Sequence, residues 1–178
     1  MQNEDKYMEF DTTSKEKFTD KIPPFEITED TDTDNVYILN YIIPKENNKE
    51  NLKKREKFIW EIYGRWCVEN PDKKCFNKNL KCDISVTFSG ISETAEKSAR
   101  NYKSAMAFLE LDFVLKNAYK IEEDKPHSKR QQKEYEKMLI MQANTNSFKP
   151  YFEQIKLIVG VRKNGKKNMY CITAIEKA

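Results

Sequence analysis

The single histidine of the chain, His127, stands in the run "DKPHSKRQ" with Lys125, Lys129 and Arg130 around it. An unperturbed imidazole titrates near 6.5 and can take or give a proton at physiological pH. Cations beside it favour a phosphate and disfavour a further positive charge on the ring. A second set of suitable groups lies near the end of the chain. In "IKLIVGVRKNGKKNMYCITA" two alternating apolar runs flank Asn164-Gly165, which predicts a β-hairpin with a two-residue type I′ turn. That register sets Lys156 opposite Thr173, Ile158 opposite Cys171, Gly160 opposite Met169 and Arg162 opposite Lys167 on one side of the sheet. Ile155, Leu157, Val159 and Val161, with Tyr170, Ile172 and Ala174, take the core side. Facing cations cost roughly a few tenths of a kcal/mol, which an anion would relieve, and Gly160 leaves room for one to approach.

These residue types suit a phosphodiester. RNA carries its own nucleophile, the 2′-OH, and its cleavage needs a proton acceptor, a donor to the leaving oxygen and cations for the charge that develops on phosphorus. His127 is the proton-transfer candidate, with Tyr135 as a reserve acid. Lys156 and Arg162 would steady the phosphorane, and Thr173 would hydrogen-bond a phosphate oxygen. Lys125, Lys129, Arg130 and Lys167 would hold the nucleic acid. The competing reading of the same lysines is an ordinary solvated sheet face.

Other chemistries find little to work with. The four cysteines, Cys67, Cys75, Cys82 and Cys171, form no CxxC pair, and one histidine cannot complete a structural zinc site. Reduced thiols are expected, and no metal or cofactor. No carboxylate pair or glycine-rich phosphate loop competes, and Asp83 and Asp112 read as surface residues.

The elements that must position these groups are read from periodicity. Residues 35–43, "NVYILNYII", predict a strand ending at Pro44. Leu52, Ile59, Ile62, Tyr63 and Trp66 recur at helical spacing over 49–70, up to Pro71. "CDISVTF", 82–88, alternates as a strand, and a short helix capped by Ser92 follows. Residues 104–118 form the most apolar helix, the core helix of the fold. After Ile121 comes a charged loop, then a strand over 138–143 and the closing hairpin. The order predicts an α+β fold, a helical layer packed on a C-terminal antiparallel sheet.

Length and charge fit one body with an extension. The 178 residues carry a net charge of +3. Residues 1–34 hold eleven Asp or Glu against four Lys, a net of −7, so the remainder carries +10. We expect an acidic flexible arm over 1–34, a strand-helix extension over 35–81 and the main domain over 82–178. A basic body points to an anionic partner, nucleic acid first. No apolar run reaches the length of a membrane span, and the start "MQNEDKYMEF" is no secretory signal, so a soluble cytoplasmic protein is expected.

From Cys82 to Glu176 the chain resembles the phage and mobile-element nuclease domains grouped with barnase, EndoU, colicin-type tRNases and RelE, which also occur in large polyvalent phage proteins. The matching pieces are "ISVTFSGISET" as strand into helix, "SAMAFLELDFVLKNAYKI" as core helix running into a strand, the loop "DKPHSKRQ", and the closing strands "IKLIVGVRKNGKKNMYCITAIE". The resemblance implies RNA cleavage, of tRNA or mRNA, on the exposed face of the sheet, without a metal. It also implies an inhibitor or host protein as a further partner. The alternative is a non-catalytic accessory or inhibitor module that uses the same face to bind nucleic acid or a host protein.

Overall fold

A computed structural model describes residues 24–30 and 32–176. The acidic arm expected over 1–34 therefore lies mostly outside the described residues. Its last part carries a strand, β1 (Ile27–Glu29), which joins β2 (Asn35–Ile38) and β3 (Tyr41–Pro44) in a three-stranded antiparallel sheet, order β1-β2-β3. The single strand expected over 35–43 is thus a tight hairpin. Leu39 takes the left-handed backbone (φ 55°) at its turn, and Leu39 and Ile42 are left exposed.

Helix α1 (Lys49–Glu69) forms where its spacing predicts, and the Asn48 side chain accepts the Asn51 N–H at 2.8 Å as its cap. Strands β4 (Lys74–Asn77) and β5 (Cys82–Ser85) follow; β4 was not legible in the lysine-rich sequence. Helix α2 (Phe88–Ser98) starts four residues before the expected Ser92, because the Thr87 side chain accepts the Gly90 N–H at 3.1 Å. The core segment 104–118 is not one helix. It breaks into α3 (Tyr102–Ala107), a 3-10 turn (Phe108–Glu110) and α4 (Leu111–Asn117). The break puts the Glu110 carboxylate inward, where it accepts from the Ser147 hydroxyl. The charged run is not a bare loop either: β6 (Tyr119–Asp124) follows the core segment, as the resemblance implies, and extends into the run, and α5 (Lys129–Glu134) lies within it. Three long strands close the fold, β7 (Tyr135–Asn144), β8 (Gln154–Arg162) and β9 (Lys167–Ile175).

The six-stranded sheet runs β4-β5-β9-β8-β7-β6, antiparallel except for a short parallel pairing of β5 with β9 at Ile84–Lys167 and Ser85–Asn168. The architecture is α+β, with helices packed on a mostly antiparallel sheet. Past Ser85 the edge of β9 is taken over by helical hydroxyls. Thr94 donates to the Tyr170 carbonyl at 3.1 Å, Ser98 donates to the Ile172 carbonyl, and the Ala174 N–H donates to Ser104 at 3.0 Å. Four helical residues rise about 6 Å and two strand residues about 6.6 Å, so hydroxyls one turn apart on α2 meet alternate groups of the strand edge. One continuous hydrophobic core reaches from Val36 and Ile38 through Phe58, Ile59 and Phe108 to Leu157 and Ile172. Strands β2 and β3 and helix α1 share the core of the residues that follow them.

Candidate active site

The expected two-residue turn is not formed. The Gly165 N–H bonds the Arg162 carbonyl at 2.8 Å, and the Arg162 N–H bonds the Lys166 carbonyl at 2.8 Å. Gly165 alone takes positive φ, 87°, while Asn164 accepts the Lys166 N–H through its side chain at 3.0 Å. This is a three-residue loop with a glycine bulge, the next most common hairpin connection after the two-residue ones. It pairs Arg162 with Lys166. Lys167 falls opposite Val161 and beside Ile84, on the opposite side of the sheet from Arg162, and its ammonium bonds the Gly165 carbonyl at 3.4 Å.

A second bulge restores the expected register further along. Val159 pairs with Met169 and Ile158 with Cys171, so Tyr170 is the extra residue. From there Ile158–Cys171 and Lys156–Thr173 pair as expected, whereas Gly160 faces Asn168 rather than Met169. The bulge turns Tyr170 out of the main core and onto the outer face. There it packs with Tyr135, Met138, Cys171 and Ile158 in a small separate cluster, its ring edge-on to Tyr135 at 6.2 Å. The space over Gly160 is filled by Tyr135: an added Cβ would sit 2.6 Å from that ring. The opening expected at Gly160 is therefore closed by the protein's own phenol.

Around Tyr170 a polar cluster joins three elements. Its hydroxyl donates to Glu93 of α2 at 2.9 Å, and Lys97 lies 4.7 Å over its ring and 3.3 Å from Glu93. From α5, Arg130 reaches across to Ser89 at 2.7 Å and to Glu93 at 3.6 Å. Gln131 accepts the His127 backbone N–H at 2.8 Å, and its side chain also bonds the Tyr170 hydroxyl. Burial raises the pKa of the Tyr170 phenol above its ordinary value, against the pull of Gln131. Tyr135 is raised by burial too, opposed by its bond to Asn168 and the nearby Arg162 guanidinium.

His127 follows β6 at the same end of the sheet. Its Nε2 lies 2.7 Å from Asp124, and that bond holds the Asp124 carboxyl below its ordinary value. The histidine thus has a carboxylate partner that sequence reasoning did not supply. Register carries Asp124 across Met138 to Gly160, two residues from Arg162. Lys125, Lys129, Lys163 and Lys166 belong to the same end, exposed and with no ion pair among the described residues. Lys156 and Thr173 do not belong to it. They pair with each other and, through Lys156, with Gln142, six residues along β8 from Arg162. That is about 20 Å at strand rise, too far to share one phosphate with Arg162.

The structure therefore gathers His127, Arg130, Arg162 and the loop lysines, sets Lys156 and Thr173 apart, and turns Lys167 away. Sequence reasoning missed Glu93, Lys97, Gln131 and Asn168. The one available signal was the i,i+4 spacing of Glu93 and Lys97 beside the helix start. Chemically the gathered end offers a histidine–carboxylate pair, two phenols and free cations. Among the described residues no group of three or more His, Cys, Asp or Glu could hold a metal ion.

Residues 54–170, about two thirds of the chain, match the family described as large polyvalent protein-associated domain 3. The match starts inside α1, ahead of the Cys82 at which the motif resemblance begins. No curated protein and no solved structure matches.

Proposed function

The chain belongs to the large polyvalent protein-associated domain 3 family, a domain of phage polyvalent proteins, and we propose that it is a metal-independent RNA endonuclease of the barnase–EndoU–colicin–RelE type. The observation that carries this reading is the meeting, at one end of the sheet, of the His127–Asp124 pair with Arg130, Arg162 and a tyrosine re-aimed by a bulge. Bulges concentrate next to active sites, where they redirect a side chain.

In the proposed reaction His127, oriented by Asp124, moves the proton of the 2′-OH or of the leaving 5′-oxygen. Arg162 faces the phosphate, because it has no acid partner among the described residues. Tyr170, whose one hydroxyl proton goes to Glu93, acts as a positioning residue that fixes Glu93 beneath Arg130. Lys125, Lys129, Lys163 and Lys166 draw the strand in through charge. For Lys156 and Thr173 the proposal is phosphate binding away from the cut.

The test is digestion of total RNA and tRNA in EDTA. His127→Ala and Arg162→Ala should each slow cleavage by about tenfold or more, while Lys156→Ala should weaken binding and leave single-turnover cleavage near the wild-type rate. Equal rates for wild type, His127→Ala and Arg162→Ala would remove the site. One observation favours a second reading, a non-catalytic module binding RNA or a host protein: Tyr135 closes the space over Gly160, and Arg130 and Lys97 are already paired with Glu93. Salt-sensitive RNA binding without cleavage would decide for it.

A further inference from the structure

Beside the candidate site lies an aromatic surface that the proposed reaction does not use. Phe88, the first residue of α2, is 72% exposed, although burying a phenylalanine is the ordinary outcome of folding. Its ring stands 5.0 Å from that of Trp60 on α1, tilted by 44°. Trp60 is in turn braced edge-on by Tyr63 at 6.1 Å, whose hydroxyl donates to the Val86 carbonyl at 3.1 Å. The pair is held from beneath and open above.

Two further observations say what covers it. The residue after Phe88 is Ser89, which the Arg130 guanidinium bonds at 2.7 Å, so the aromatic surface adjoins the cationic end of the sheet. One helical turn beyond Trp60 stands Gly64, exposed in the middle of α1, where an added Cβ would meet nothing within 4 Å. A glycine there weakens the helix, and no packing requires it. It leaves the helix surface one turn from Trp60 bare.

We infer that Phe88 and Trp60 form a stacking platform for an unpaired base of an RNA strand whose phosphates run past Arg130 into the candidate site. The ligand's identity rests on the nuclease reading above. Any base offers a π-face to such a platform, whereas the bases of a duplex are already stacked on one another. The substrate class is accordingly single-stranded RNA or a loop, with little sequence preference at this position.

The experiment uses the full chain and a short 2′-O-methyl oligoribonucleotide, which binds but offers no nucleophile for cleavage, as a single strand and as a duplex. The single strand should bind more tightly and quench tryptophan emission, since Trp60 is half-exposed and Trp66 is buried. Phe88→Ala, a change at an exposed side chain, should lose about tenfold in affinity for the single strand, and Phe88→Tyr should keep it. Wild-type affinity in Phe88→Ala, or equal binding of duplex and single strand, would overturn the platform. Cleavage assays keep the two proposals apart. Cleavage with no dependence on Phe88 sinks the platform alone, and Phe88-dependent binding without cleavage sinks the nuclease alone. If wild type binds neither form, both fail.

Discussion

Cys75 and Cys171 show how far burial alone sets the behaviour of a side chain here. Desolvation pushes both thiols up to about 11, and all four cysteines are free. Only a thiolate reacts at useful rates. A thiol reagent at mildly alkaline pH should therefore label the half-buried Cys67 and Cys82 in the native protein, with Cys75 and Cys171 reacting only in denaturant. Four equally fast thiols would contradict the packing. Glu110 follows the same rule, because its charged form is also an anion. Burial raises its carboxyl above the ordinary 4.5, against the hydrogen bonds of Ser147 and Thr145. Between 4.5 and the raised value the unfolded chain has released this proton while the folded chain holds it, so stability falls as pH rises through that window. Glu110→Gln should flatten this part of the pH profile of the urea midpoint. A slope that persists in the variant would assign it to another group. Neither burial was legible beforehand, because nothing local marks one glutamate of a charged sequence as the one turned inward.

At the scale of elements, two glycines on neighbouring helices give opposite expectations. Gly64 has nothing within 4 Å of an added Cβ, so Gly64→Ala should stabilise the fold by about 1 kcal/mol through helix propensity. Gly90 sits where α2 meets β9, and its Cβ would run into the Met169 carbonyl, a backbone atom that cannot step aside. Gly90→Ala should cost about 2 kcal/mol as overpacking. Thermal unfolding of the pair checks both signs, and a destabilised Gly64→Ala would point to a packing role for that position. Elements with strong periodicity were legible in the sequence: α1, the apolar segment 104–118 and the β8–β9 hairpin all lie where they were read. Register was legible only up to Ile158–Cys171. Each bulge shifts pairing by one residue, and the bulge at Tyr170 carries that tyrosine, expected on the core side, to the outer face. Strand β4 was hidden because an edge strand rich in Lys and Asn carries no alternation to detect, and β6 was expected only as the end of the segment running on from the core helix.

Across the whole molecule, Arg55 ties the first sheet to the body. It is fully buried, and it donates to the Pro44 carbonyl at 2.7 Å, the Ala99 carbonyl at 2.6 Å, the Glu46 carbonyl at 3.2 Å and the Asn47 side chain at 2.5 Å. Ala99 closes α2, so the cation also meets the negative end of that helix. Arg55→Leu strands several buried acceptors at once and should lower the unfolding free energy by about 3 kcal/mol. Arg55→Lys should recover little of it, because an ammonium cannot span the fork of partners. A denaturant series on the two variants measures this; a silent Arg55→Leu would mean that the two parts hold together without the clamp. Helix periodicity alone would place Arg55 among the solvated cations of α1, since no spacing rule separates a buried arginine from Lys53, Lys54 and Lys57. The basic character of the body was legible from counting charges. Its concentration at one sheet end was not, because that depends on which loops the strand order brings together.

The hydroxyls of Thr94, Ser98 and Ser104 have a consequence for how this fold meets other β-rich units. Adjacent β-rich units in one chain risk zipping together edge to edge, each completing its sheet with a neighbour's strand. On β9 the Tyr170 and Ile172 carbonyls and the Ala174 N–H, groups that would invite this, are already bonded by side chains of the same domain. At the far edge, β6 presents Lys120, Glu122 and Glu123, a charged border that discourages an apolar strand from adding there. An incoming β-augmenting peptide would find the free stretch of β9 latched and β6 electrostatically selective.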